Sequence, residues 1–262
     1  MLRKIVQAYF SHPLVRDLDI DSPEAILRHS RLIQEKSFLK NIYEEWYTSI
    51  LASLAENRTG PILELGSGGG FLKDILPCLI TSEILRIPTV DMVLDGQHLS
   101  FRKASLRGIV MIDVFHHLPD VRRFFCEAAY CVKPGGVIVM IEPWTTRWSR
   151  IVYKYLHHEP FLPDFKEWNF AGNGRLSGAN SALPWIVFDR DRAKFEREFP
   201  EWRIKEIKLQ MPFCYLLSGG MSFRSFAPGW LFDRIRRLED KLQPWMNIWA
   251  MFASITLLRY KT

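Results

Sequence analysis

The sequence predicts an α/β fold: a seven-stranded, mostly parallel sheet with helices on both faces, an N-terminal helical cap and an aromatic-rich insertion. Three observations carry that prediction. Short apolar runs alternate with a helix-period stretch between Ile62 and Ile141, the pattern of strand and helix units that bury a parallel sheet on both sides. The first run ends in the turn Glu64-Leu65-Gly66-Ser67-Gly68-Gly69-Gly70, whose glycines allow a strand to bend sharply into the next element. Two further strand-like runs, Trp202 to Met211 and Phe252 to Tyr260, complete the count of seven.

In chain order, Ser22-Pro23-Glu24 reads as a helix start, with a hydroxyl cap, a proline at the first position and an acid at the positive end of the dipole. Leu39, Ile42, Tyr43, Trp46, Ile50 and Leu54 recur at three- and four-residue spacing and give one apolar helix face. This helical cap, residues 1–58, either lies over a cleft or covers the sheet. The core, residues 59–144, contains strands at Ile62 to Leu65, Leu79 to Ser82, Val90 to Leu94, Gly108 to Val114 and Val137 to Ile141. Between the last two, Pro119 to Val132 has helical spacing, and Lys133-Pro134-Gly135-Gly136 ends it. The link from Glu83 to the third strand is too short for the usual helix. From Thr145 to Leu183 periodicity is lost and Trp, His, Pro and Gly accumulate, so residues 145–183 read as a substrate-side insertion. Residues 184–262 complete the sheet and add an amphipathic helix, with Trp230, Leu231, Ile235, Leu238 and Leu242 on one face and charges on the other.

Composition narrows the function classes. The 262 residues are 48% hydrophobic and 24% charged, which disfavours disordered and fibrous architectures. A net charge of +6 permits attraction to phosphate or anionic lipid, but no run of five basic residues marks a nucleic-acid arm. Cys78, Cys126, Cys131 and Cys214 have neither CxxC nor paired metal spacing, and read as reduced thiols of a cytoplasmic protein. No export signal is expected from the N-terminus, and the uncharged stretch Leu242 to Leu258 is too short and too polar to span a bilayer.

The glycine turn carries the first chemical reading. Gly66, Gly68 and Gly70 remove Cβ atoms where a ligand would approach backbone, and a helix beginning near Phe71 would aim N–H groups at it. A dinucleotide fingerprint would need glycine where Phe71 stands. Glu83 follows Glu64 by 19 positions, close to the spacing at which an acid reaches ribose hydroxyls. Asp95-Gly96, after the third strand, is placed to meet an adenine edge, or is simply an Asp-Gly turn.

ILELGSGGG, SE, LDGQHLSF, IVMIDVFHHL and VKPGGVIVMIEPW, in that order, resemble the successive motifs of class I S-adenosylmethionine-dependent methyltransferases of the broad small-molecule group. The likeness is strong from Gly60 to Trp144 and looser over the C-terminal strands. It implies a Rossmann-like sheet and S-adenosylmethionine as cofactor. It also implies that Glu64, Gly66, Ser67, Gly68 and Gly70 flank the methionine moiety, Glu83 holds the ribose, Asp95 and Gly96 hold the adenine edge, and Asp113 closes the site.

Methyl transfer is an in-line displacement that needs alignment, with a general base only where the acceptor must lose a proton. His116 and His117 follow the fourth strand at the functional end of the sheet, and His157-His158-Glu159 lies in the insertion. His117, His157 and His158 are the candidate bases, with helix capping or loop anchoring as the ordinary alternative. A metal site needs a third, distant ligand that the sequence does not name, so none is assigned. Glu142, Trp144, Trp148, Tyr153 and Tyr155 suggest a pocket wall for an apolar or ring-containing small molecule or a lipid-like acceptor. The amphipathic C-terminal helix packs on its own domain or rests on a membrane surface. The rivals are a nicotinamide-dependent oxidoreductase and a non-catalytic methyltransferase-like module.

Overall fold

The computed structural model describes residues 9–16, 18–54, 59–157, 159–170 and 178–260. Its sheet is built from β1 (Ile62–Glu64), β2 (Leu79–Glu83), β3 (Met92–Val93), β4 (Leu106–Ile112), β5 (Val132–Pro143), β6 (Trp202–Gln210) and β7 (Phe252–Arg259), in the order β3-β2-β1-β4-β5-β7-β6. β7 alone is antiparallel to its neighbours, pairing Val139 with Thr256 on one side and Ile207 with Ile255 on the other. β1 is buried at all three positions, as a central parallel strand must be.

Each face carries its own apolar layer. The helix Ser37–Leu54 turns Phe38, Leu39, Ile42, Trp46, Tyr47 and Ile50 onto one face of the sheet. On the other face, Phe124, Phe125 and Ala128 of the helix Val121–Cys131 pack with Phe188, Phe195 and Trp202. Asp120 caps that helix by accepting from the Arg123 N–H at 3.0 Å. Ser22 caps Pro23–Glu35 by accepting from the Ala25 N–H at 3.2 Å.

Three local expectations change. The insertion contains a regular helix, Arg147–Tyr155, begun by a reciprocal cap between Thr146 and Ser149; its aromatic composition hid a helical pattern of about two and a half turns. Lys133-Pro134-Gly135-Gly136 lies inside β5 rather than before it, because the β4 register jumps from Leu106–Val132 to Gly108–Val137. The helix after Phe71 is only Leu72–Ile75, and the Phe71 N–H is taken by the Tyr47 hydroxyl at 2.9 Å. Little dipole is therefore left to attract an anion. As expected, no helix joins β2 to β3; Asp91 ties the link instead, its Oδ2 accepting from the Thr81 N–H and hydroxyl at 2.8 and 3.0 Å.

The C-terminal helix, Phe232–Asp240, is rotated from the expected face. Phe232 and Glu239 are buried, whereas Trp230 and Leu238 are 68% and 60% exposed. Glu239 goes inward because its Oε1 accepts from the Phe213 and Cys214 N–H groups, both at 2.7 Å, and its Oε2 meets Arg236 at 2.6 Å. A buried carboxylate holding three donors is costly to disturb. Glu239→Gln should lower stability by about 1.5 to 3 kcal/mol in urea unfolding, and an unchanged midpoint would remove that assignment. No helix among the described residues is long and apolar enough to cross a membrane.

Candidate active site

Beyond the carboxyl ends of the parallel strands, where the chain order reverses between β1 and β4, lies a cavity of about 770 Å³. Such crevices are where open α/β sheets bind ligands. Glu64, Gly66, Ser67, Gly68, Gly70, Glu83, Asp95, Gly96 and Asp113 all line it, and so do His117 and His157. His158 lies outside the described residues.

Gly66 and Gly70 are required for reasons other than open access. Gly66 has φ +65°, and a Cβ there would meet Val114 Cγ2 at 2.5 Å. A Cβ on Gly70 would strike the Tyr47 hydroxyl at 2.7 Å. Gly68, φ +53°, has no neighbour closer than 3.7 Å to its ideal Cβ, so its side faces the cavity. Gly69, absent from the expected set, lies against the helix Pro23–Glu35, where a Cβ would fall 2.4 Å from the Ser30 nitrogen. The N-terminal helical region therefore lies over the cleft: His29, Tyr43 and Tyr47 also line it. Tyr43 carried only a helical-core signal in the sequence, and Tyr47 lay outside the apolar face read there.

Glu83 is held by two backbone donors, Gly68 N–H at 3.1 Å and Ile84 N–H at 2.8 Å. Burial raises its pKa against those bonds. Burial likewise pushes Glu64 up to about 7, with Ser67 opposing and Glu83 adding to the shift. Asp113 has φ +55°, a conformation uncommon outside glycine, and its buried Oδ1 has no hydrogen-bond partner. Burial raises its pKa to about 8. Asp95 Oδ1 accepts from the Gln97 N–H at 2.8 Å, so the Asp-Gly turn reading and the cavity-lining reading hold together.

The structure joins the two histidine segments. His116, buried after β4, sets Nδ1 2.7 Å from Glu142 Oε2 and Nε2 3.1 Å from Glu159 Oε2. His117 sets Nδ1 3.2 Å from the Gly178 carbonyl and Nε2 3.6 Å from Glu159 Oε1. His157 Nδ1 accepts from the Glu159 N–H at 3.3 Å. Burial opposes charge on His116, but the flanking Glu159 and Glu142 raise its pKa well above the usual value. Burial also opposes charge on Glu159, which His116 nonetheless holds well below the carboxylate range. Burial and the His116 charge push His117 down to about 4. Of the expected pocket wall only Tyr153 lines the cavity. Glu142 instead accepts from the Val114 and Phe115 N–H groups at 2.9 and 2.7 Å, Trp144 is in the core, and Trp148 packs on Phe213 and Trp249. Tyr155 is exposed. The wall comes from Tyr215, Leu216, Met221, Phe223 and Phe226, a segment with no strand or long helix to advertise it.

A family model described as a methyltransferase domain matches residues 63–140, from β1 into β5. Over that stretch, 78 of the 262 residues, the chain is similar to a methyltransferase domain. The cofactor of that domain class is S-adenosylmethionine. Geranyl diphosphate C-methyltransferase from Streptomyces coelicolor A3(2), solved with Mg2+, geranyl diphosphate and S-adenosyl-L-homocysteine, is similar at 13% identity over 96% of this chain and 90% of that one, with TM-score 0.50. The [4+2]-cyclase SpnF matches at 8% identity over 83% and 81%, also with TM-score 0.50. An S-adenosylmethionine-dependent methyltransferase from Archaeoglobus fulgidus gives 13% identity over 84% and 94%, with TM-score 0.49. At these identities the two structures with TM-score 0.50 establish a shared fold and nothing beyond it. No curated protein matches the sequence.

Proposed function

We propose that the protein transfers a methyl group from S-adenosylmethionine to an apolar or ring-bearing small molecule, or a lipid-like acceptor, by in-line displacement. One observation carries this reading: a single cavity contains both the glycine turn with Glu64, Glu83 and Asp95 and an aromatic wall formed by Tyr43, Tyr153, Tyr215 and Phe226. Donor and acceptor would therefore share one enclosed space, and alignment alone is worth about 7–11 kcal/mol of barrier.

The residues present suit the cofactor. Gly68 leaves open space, Glu83 is fixed by two backbone donors, and Asp113 has an unpartnered buried oxygen. Glu83 would hold the ribose hydroxyls, Glu64 and the glycine turn the methionine moiety, Asp95 and Gly96 the adenine edge, and Asp113 would close the site. The cofactor supplies an activated methyl group on a sulfonium. The chain's own contribution is to orient the partners, exclude water and, for a hydroxyl acceptor, take up its proton near His117, which is neutral at pH 7, or His157. The free thiols Cys78, Cys126, Cys131 and Cys214 accord with a cytoplasmic protein. Exposed Trp230, Leu238 and Trp245 leave room for peripheral membrane contact.

Two measurements test the reading. Adenosylhomocysteine should bind the native chain in calorimetry, with NADH silent, and methyl-labelled adenosylmethionine should label the small-molecule or lipid fraction of a cell extract. Binding without any labelled product would leave only a cofactor-binding module, and label confined to RNA would overturn the acceptor class.

A further inference from the structure

The structure assigns a divalent transition-metal site to His116 Nε2, His117 Nε2 and the Glu159 carboxylate, open toward the cavity and suited to a hydroxyl-bearing acceptor. The three side chains each offer a donor atom within 4.8 Å of the others. Glu159 sets its two oxygens 3.1 and 3.6 Å from the two Nε2 atoms. Around a tetrahedral ion with Zn–N bonds near 2.0–2.1 Å, ligand atoms stand about 3.3 Å apart. The cluster is thus already close to the required spacing. The ligand missing from the sequence reading is supplied because residue 159 of the insertion folds back onto the β4 loop, more than forty residues away in the chain.

The surroundings of the ligands point the same way. Metal-bound imidazoles commonly donate their other N–H to a carboxylate or a backbone carbonyl, which fixes the tautomer. His116 Nδ1 faces Glu142, and His117 Nδ1 faces the Gly178 carbonyl. Glu159 Oε2 in turn accepts from the Ser181 hydroxyl at 3.0 Å. A second group of side chains, Asp113, His116 and Glu142, also clusters. Glu142 is spent there: its Oε1 holds two backbone N–H groups and its Oε2 the His116 ring. A latch between insertion and β4 loop would need one imidazole and one carboxylate, not a second imidazole turned the same way.

Two imidazoles and one carboxylate with open positions suit Zn2+, Fe2+, Co2+ or Mn2+. On binding, the ion takes the place of the proton between His116 Nε2 and Glu159, and that proton leaves to solvent. An acceptor hydroxyl on the ion would lose its proton more readily, with His157 rather than the metal-bound His117 left to take that proton up, a consequence that rests on the methyltransferase reading, whereas the site itself does not.

The test is titration of chelator-treated protein with Co2+, followed by visible absorption, on the native chain and on His117→Ala, Glu159→Gln and Glu142→Gln. One Co2+ per chain is expected, with binding weakened at least 100-fold by the first two changes and 10- to 100-fold by the third, which touches no metal. His98→Asn, on the surface, should leave the titration unchanged. Adenosylhomocysteine binding is measured on the same samples. If the variants bind it normally and native protein takes up no Co2+, or the variants take it up equally, the cluster is only a buried ion-pair latch. If native protein takes up Co2+ but no adenosylhomocysteine, the metal site stands and the cofactor reading falls.

Discussion

Gly66→Ala should cost the protein about 2–5 kcal/mol, and Gly68→Ala only about 1–2 kcal/mol. Both residues have left-handed φ, +65° and +53°, where a Cβ costs roughly 1–2 kcal/mol. Only Gly66 adds a collision, with Val114 Cγ2 at 2.5 Å and Cγ1 at 3.1 Å. Val114 belongs to the turn whose N–H groups are held by Glu142, so it yields little, and such overpacking adds about 1–3 kcal/mol. Against a total stability of about 5–15 kcal/mol that is a large fraction. Urea midpoints decide it. For adenosylhomocysteine affinity the order should reverse at matched folded fraction. A Cβ on Gly68 lies 3.9 Å from Glu83 Oε2 and intrudes on the cavity, which should weaken binding by tenfold or more. Equal destabilisation by the two alanines would mean that Val114 moves freely and that only the backbone conformation matters.

What the sequence made legible were features written locally. The strands around the glycine turn announce themselves by apolar runs, and Glu64, Glu83, Asp95 and Asp113 stand at the strand ends where the cavity opens. The purpose of individual glycines was not legible, because Gly69 answers to Ser30 and Gly70 to Tyr47, partners that only the folded helical cap brings near. The same holds for the histidines. His117 and His157 look equivalent as bases in the chain, but His116 is the ring enclosed between two carboxylates, one from β5 and one from the insertion. Helix orientation failed for a related reason. Hydropathy grouped Leu238 with Trp230 and Ile235 on the apolar face and gave Glu239 no place, whereas the N–H groups of Phe213 and Cys214 demanded its carboxylate. A buried backbone donor without a partner outweighs one exposed leucine.

Glu64 should make both stability and cofactor affinity depend on pH, in opposite senses. Burial raises its pKa from 4.5 to about 7, so between those values the folded chain holds a proton that the unfolded chain has released. Its contribution is therefore fully present below pH 4.5 and is lost as pH rises through 7. The loss is on the order of 3 kcal/mol, since each pH unit corresponds to about 1.4 kcal/mol. A ligand bearing an ammonium group favours the ionised form. Adenosylhomocysteine affinity should then climb by up to about tenfold per unit below pH 7, level off above it, and release close to one proton at pH 6. Calorimetry in buffers of different ionisation enthalpy reads that proton directly. Glu64→Gln keeps the shape and removes the titration. It should remove Glu64's share of both profiles, leaving in the stability profile the loss that the raised Asp113 carboxyl contributes, leave the free protein more stable than native at pH 7.5, and weaken binding there by about 10- to 100-fold, the worth of one charge-assisted hydrogen bond at about 1.5–3 kcal/mol. A native protein whose affinity does not change between pH 5.5 and 7 would show that the ligand's cation rests elsewhere in the cavity, away from the carboxylate that ends β1.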